Sequence, residues 1–182
     1  MRFPALALIM TAASLPAFAQ MVTQSDPIQV EPVLEVPSED YRTGWVQIGA
    51  FSVLAETPAD GSHEIHAVYI DKPALEAYLR DGVFADETRI VKEVWGTRTE
   101  DLTTGRASYA DTLKGRFVMV RDSEGKLGQG PRFGDGWGWA FFPGTETRIT
   151  DTEDYRDACL ACHEPARDQG LIYLQGYPAL RR

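Results

Sequence analysis

Cysteine is almost absent from this 182-residue chain: there are two, Cys159 and Cys162, and histidine is nearly as scarce, with only His63, His66 and His163. A structural zinc site on the thiols would need two further soft ligands, but no third cysteine exists and the other two histidines lie far upstream. A disulfide between residues three apart is geometrically awkward, and no βαβ pattern precedes the pair to make it a thioredoxin-like redox centre. Basic runs are missing as well. The chain sets 18 Lys and Arg against 27 Asp and Glu, a formal net charge of −9, and only the terminal Arg181-Arg182 clusters positive charge. Phosphate backbones need a basic face, so nucleic acid is not an expected partner. Acidity of this order keeps a protein soluble and would also steer a basic electron-transfer partner. There is no internal repeat, no low-complexity block and no good membrane span, since the apolar stretch Phe3 to Leu15 is short, broken by Pro4 and closed by Pro16.

That stretch reads instead as the centre of a secretory leader. Met1-Arg2 supplies the positive start and Ala17-Phe18-Ala19 the small-residue cleavage site before Gln20. Residues 1–19 are therefore expected to be a signal peptide, whose removal leaves 163 of the 182 residues and, with Arg2 gone, a net charge of −10. A chain of that size suits a single domain with a real core. Export makes a bacterial periplasm its expected location, with no membrane span after cleavage.

The feature that stands against this background is Cys159-Leu160-Ala161-Cys162-His163. Two thiols separated by two residues in one tight helical turn meet the two vinyl groups of a haem, and the adjacent imidazole swings under the iron. The motif predicts one covalent haem c per chain, attached through Cys159 and Cys162 and ligated by His163. Export agrees with this, because c-type haems are attached outside the cytoplasm.

Around the motif the pattern is that of an α+β domain. Residues 20–41, with Pro27, Pro32 and Pro37, read as an extended, acidic lead-in to a domain spanning 42–182. Five strand-like runs follow, Trp45 to Leu54, Glu64 to Ile70, Arg89 to Trp95, Arg116 to Arg121 and Gly136 to Phe142, separated by Gly, Pro, Asp and Thr clusters. One helix is predicted from Asp71-Lys72-Pro73, with Asp71 as N-cap, an apolar stripe of Leu75, Tyr78 and Leu79, and a stop at Asp81-Gly82. A second is predicted to start at Thr150 or Asp151 and run with an acidic first turn into Cys159. The expected architecture is an antiparallel sheet of about five strands with a few flanking helices.

Ile65-His66-Ala67-Val68-Tyr69-Ile70, Val91-Lys92-Glu93, Phe117 to Asp122, Gly134 to Trp139, and Cys162-His163 followed by Tyr177-Pro178 occur in that order. Together they resemble the cytochrome P-460 family, which includes cytochrome c′-beta, over roughly residues 41–180. The resemblance implies a haem packed against the sheet, His163 as proximal ligand, an opposite iron face that is open or water-bound, and a possible homodimer. It implies activity on hydroxylamine or nitric oxide with electrons passed to a soluble partner, or alternatively a gas-binding role for nitric oxide. A simple electron carrier would need a strong sixth ligand and a closed pocket. In cytochrome P-460 a lysine is also bonded to the haem edge, and Lys92 matches that position.

Period-two alternation places Ile90, Lys92 and Val94 on one face of their strand and Val91, Glu93 and Trp95 on the other. Lys92 is thus either a haem-facing lysine or an edge lysine whose amine reaches water. His66 shares a face with Val68 and Ile70, where a core histidine, a distal hydrogen-bond donor and a sixth ligand are all open readings. His63 is placed in the preceding turn, and Met119 reads as packing more than as a ligand. Trp137, Trp139 and Phe141 form a bulky strand face opposite a nearly bare one of Gly138, Ala140 and Phe142; a bare strip would let a flat macrocycle approach the backbone, and the other open reading is that the aromatics fill a core and the glycines mark a bulge or twist. Glu153 and Asp154 are weak candidates for a pocket base among the helix-start charges.

Overall fold

A computed structural model describes residues 32–181; the expected leader, residues 1–19, lies outside them. The centre of the molecule is one six-stranded sheet, antiparallel throughout, in the order β1-β2-β3-β4-β6-β5. Its strands are β1 (Val46–Leu54), β2 (Ser62–Ile70), β3 (Arg89–Leu102), β4 (Gly105–Arg121), β5 (Phe133–Gly134) and β6 (Trp137–Pro143). The sixth strand, beyond the five expected, is the two-residue β5, folded back on β6 by Asp135 (φ 52°) and Gly136 (φ 79°). Two successive positive φ values make a type I′ turn, whose twist matches that of the flanking strands.

Strands β3 and β4 run well past the apolar segments legible in the sequence. Residues 96–115 form a hairpin paired as far as Leu102 and Gly105. This stretch is polar and carries no inside-outside alternation, since much of it is exposed to water on both sides. Its strands are held by ladder hydrogen bonds and by side chains such as Thr99 Oγ1, 2.7 Å from Ser108 Oγ.

The helix α2 (Lys72–Asp81) follows its prediction closely, with Asp71 Oδ1 accepting from the Ala74 N–H at 2.8 Å and Gly82 closing it at φ 78°. The buried stripe is Ala74, Leu75 and Tyr78; Leu79, expected in it, is 40% exposed. Leu79 lies one position past Tyr78, which turns it by a quarter circle from the core. A short α1 (Tyr41–Gly44) precedes β1.

The sheet buries both faces. On one, α2 and the C-terminal segments cover Ile48, Val68, Ile70, Ile90, Met119, Trp137 and Trp139. On the other, Leu34, Val36 and Tyr41 cover Ala67, Tyr69, Val91, Val118, Val120, Ala140 and Phe142. Leu34 and Val36 are 0% and 7% exposed, and the Val36 N–H donates to Thr147 O at 3.0 Å, so the chain before Tyr41 completes this second face. Among the described residues no helix is long and apolar enough to cross a membrane.

Candidate haem-binding face

The segment that carries the thiols is not the expected helix from residue 150. Thr150 and Thr152 are buried against β6, where the Phe141 N–H donates to Thr152 Oγ1 (2.9 Å) and Thr150 Oγ1 donates to Phe141 O (2.7 Å). Their hydroxyls compete with a helical backbone and hold the chain along the sheet edge. Helical structure starts only at Tyr155, as a π-turn over Arg156–Leu160 followed by α3 (Ala161–His163) and a 3-10 stretch, Glu164–Gln169. Tyr155 fastens that start: it stacks on Trp139 at 5.8 Å, and its hydroxyl donates to Asp135 Oδ2 at 2.9 Å.

Cys159 is buried and Cys162 exposed, and both are free thiols. Burial pushes the Cys159 thiol up to about 11, against the opposing pull of the Lys92 ammonium. His163 Nδ1 lies 2.7 Å from Leu171 O, so the ring donates from Nδ1 and keeps Nε2 as its unprotonated nitrogen. Leu171 reaches that position in the left-handed region (φ 65°), its own N–H bonded to Ala166 O at 2.9 Å. Leu171 itself is 3% exposed. A non-glycine residue at positive φ is costly and persists only where its surroundings enforce it. Trp139 meets the His163 ring edge-on at 4.9 Å, and the Tyr173 hydroxyl donates to Cys162 O at 2.5 Å.

The face of the sheet beneath this segment is ordered in rows. One row runs Ile70, Ile90, Met119, Trp139; the next, two residues or about 7 Å along the strands, runs Val68, Lys92, Phe117, Phe141; the third holds Phe51, His66 and Val94. The first row is fully covered, Met119 included, which settles that residue as core. The second and third are only partly covered: Lys92, Phe117, Phe141 and His66 are half-buried and Phe51 is 37% exposed. Lys92 Nζ sits 4.3 Å from the centre of the Phe117 ring. Burial lowers its ammonium below the ordinary lysine value, while any charge on the Cys162 and Cys159 thiols and on Glu64 acts in the opposite direction. Lys92, the thiols and His163 are therefore within electrostatic reach of one another.

His66 packs its ring against Phe51 at 4.8 Å, with Nε2 2.9 Å from Glu64 Oε2, and its buried Nδ1 has no partner among the described residues. His63 is the second residue of β2, not part of a turn, and its side chain is 62% exposed. Asp154 is committed to the start of the π-turn, where Oδ1 accepts from the Arg156 N–H at 2.9 Å, and Glu153 is exposed. The bare strip of β6 is not a haem surface. A Cβ on Gly138 would meet Leu34 Cδ2 and Phe133 Cε1 at 2.7 Å, so those side chains fill it, and Cys159 packs with Trp137 and Trp139 of the bulky face. Leu171, Tyr173 and Glu64 are not singled out by sequence reasoning, and Phe117 enters it only as the first residue of a motif segment; alternation places Glu64 on the His66 face, but nothing marks a carbonyl acceptor such as that of Leu171.

A protein-family model described as cytochrome P460 matches residues 38–174. The chain belongs to the cytochrome P460 family. Membership carries a haem cofactor and haem-based oxidoreductase activity on nitrogen compounds in general terms. No curated protein matches the sequence. The residues of this P460-family chain fit the group. Two free thiols border a partly covered aromatic strip, a histidine whose Nδ1 is tied to Leu171 O stands beside them, and the face also holds a buried ring nitrogen without a partner among the described residues.

Proposed function

We propose that the protein is a periplasmic mono-haem c-type cytochrome that oxidises hydroxylamine or nitric oxide at an open iron position and passes electrons to a soluble acceptor. Cys159 and Cys162 would hold the haem covalently and His163 Nε2 would ligate its iron. The haem would supply the redox chemistry. The observation that carries the reading is Lys92, on the face of the thiols and His163 and over the Phe117 ring. Burial of its amine favours the neutral, nucleophilic form, which is the form that bonds to a haem edge. Phe51, Phe117 and Phe141 restrict water on the same face, and Leu171 O orients His163. That aromatic lining also supports a second reading, a nitric oxide-binding protein, because an apolar strip admits diatomic gases and excludes larger anions.

The absorption spectrum of the dithionite-reduced holoprotein separates the two. A strongly red-shifted Soret band in the wild type, lost in Lys92→Ala, is the expected result, with a matching loss of the lysine bond by mass spectrometry. An ordinary reduced haem c spectrum in the wild type would leave the gas-binding reading in its place.

A further inference from the structure

Nδ1 of His66, which has no hydrogen-bond partner among the described residues, calls for an explanation, since a buried polar atom left without a hydrogen bond is costly. Its other nitrogen begins a chain of contacts. Nε2 is 2.9 Å from Glu64 Oε2, and Glu64 Oε1 accepts from Lys114 Nζ at 3.0 Å. Side-chain exposure rises along it, from 12% at His66 to 22% at Glu64 and 42% at Lys114, so the chain leads from the covered face to water. With Nε2–H donated to a carboxylate, Nδ1 presents a bare lone pair: an acceptor on the face that also holds Lys92.

We propose that His66 Nδ1 is the proton acceptor of this site and that Glu64, held by Lys114, is the proton's exit to solvent. This rests on the enzyme reading above and deepens it, because an acceptor serves a substrate with N–H or O–H groups, such as hydroxylamine, and has nothing to take from nitric oxide. The ring takes one proton from the substrate at Nδ1, and the resulting imidazolium, paired with Glu64, releases one from Nε2 through the carboxylate to water. The Nε2–H form returns by exchange with solvent. The substrate loses one proton, solvent gains one, and no electron moves in this step. Charged groups around the ring act on it from three strands: Glu64 on its own strand favours the imidazolium, while Lys92 on β3 and Lys114 on β4 oppose it, as does burial. From β1 it meets the uncharged Phe51 ring.

The experiment compares holoprotein of the wild type, His66→Gln and Glu64→Gln, each checked for fold by circular dichroism. The readouts are hydroxylamine oxidation with a soluble dye across pH, nitric oxide affinity of the reduced state, and nitrogen NMR of the His66 ring in the diamagnetic carbon monoxide complex. His66→Gln should slow oxidation by about 10²-fold and leave nitric oxide affinity unchanged. Glu64→Gln should move the acidic limb of the rate profile to lower pH, since it removes the group that favours the imidazolium. The ring should carry its proton on Nε2. Unchanged rates in both variants, a proton on Nδ1, or a wild type that oxidises nitric oxide but not hydroxylamine overturn the inference and leave the enzyme reading standing; a wild type that oxidises neither overturns both.

Discussion

Glu93→Gln should destabilise the protein by about 3 kcal/mol. The carboxylate is 1% exposed on the face opposite the thiols, where Oε1 accepts from the Tyr41 hydroxyl at 2.5 Å and from Arg42 Nε at 2.8 Å. Oε2 accepts from Trp95 Nε1 at 3.0 Å, and Arg116 Nε, 3.7 Å from Oε1, donates to the Tyr41 oxygen at 2.8 Å. Burial and the neighbouring carboxylate push the Tyr41 phenol up to about 12, so the tyrosine stays a donor throughout the physiological range. Glutamine keeps the size but removes the charge and turns an NH₂ toward one set of donors. Breaking a buried ion pair by removing one partner costs about 3–5 kcal/mol. The Arg42 side chain is 43% exposed, so water screens part of that term and the lower end applies. Urea unfolding should show the midpoint falling at unchanged slope, and the melting temperature should fall by about 6–12 °C. Arg42→Ala, at the exposed end, should cost about 1 kcal/mol or less. A loss below about 1 kcal/mol in Glu93→Gln would refute the account of this cluster as a satisfied buried network.

Three further outcomes follow from the same structure. His66 is held below its ordinary value by burial first, against the pull of Glu64, so the folded chain binds fewer protons there than the unfolded chain does. Its contribution to stability is complete above about pH 6.5 and shrinks as pH falls below that; the urea midpoint should drop between about pH 7.5 and 5.5 by more in wild type than in His66→Gln, and equal drops would remove His66 as the cause. Gly138→Ala places a methyl 2.7 Å from both Leu34 and Phe133; thermal unfolding should register about 1–3 kcal/mol of overpacking, and a neutral result would mean that Leu34 does not fill the strip. Asp71→Ala removes the cap on Ala74 N–H and should cost about 1 kcal/mol by chemical denaturation, with Asp71→Ser recovering most of it.

What the sequence made legible were the features with a short-range physical signal. Asp71, Pro73 and Gly82 bracket α2 because cap, first-turn proline and left-handed stop each act within a few residues. Alternation groups Lys92 with Ile90 and Val94, and His66 with Val68 and Ile70, as the strands have them, since a period of two needs only a strand and a core on one side; the register between the strands then brings the two sets to one face. The polar hairpin over 96–115 escaped because neither face is buried, which removes the alternation that announces a strand. The π-turn start at Tyr155 is hidden for another reason: Thr150 or Asp151 reads as a helix start, and only the distant Phe141 amide and carbonyl reveal the use of Thr150 and Thr152 on β6. Which face takes the thiols was equally long-range. It is decided by Leu34, more than a hundred residues from Gly138 in the chain, filling the bare side.

The two faces of β3 depend on each other through register. Lys92 and Glu93 are neighbours on one strand, and a slip of one residue would exchange them, because side-chain direction reverses at every position. Lys92 would then enter a face where Tyr41, Arg42 and Arg116 all offer donors and none offers a negative partner. Glu93 would enter the aromatic strip beside Phe117 and the thiols, leaving those donors unsatisfied. An unpaired buried charge on each side is the outcome that proteins tolerate least. The cluster around Glu93 thus does more than stabilise the back of the sheet: by penalising the slipped alignment it fixes the face on which the Lys92 amine emerges, and with it the distance from that amine to Cys159, Cys162 and His163.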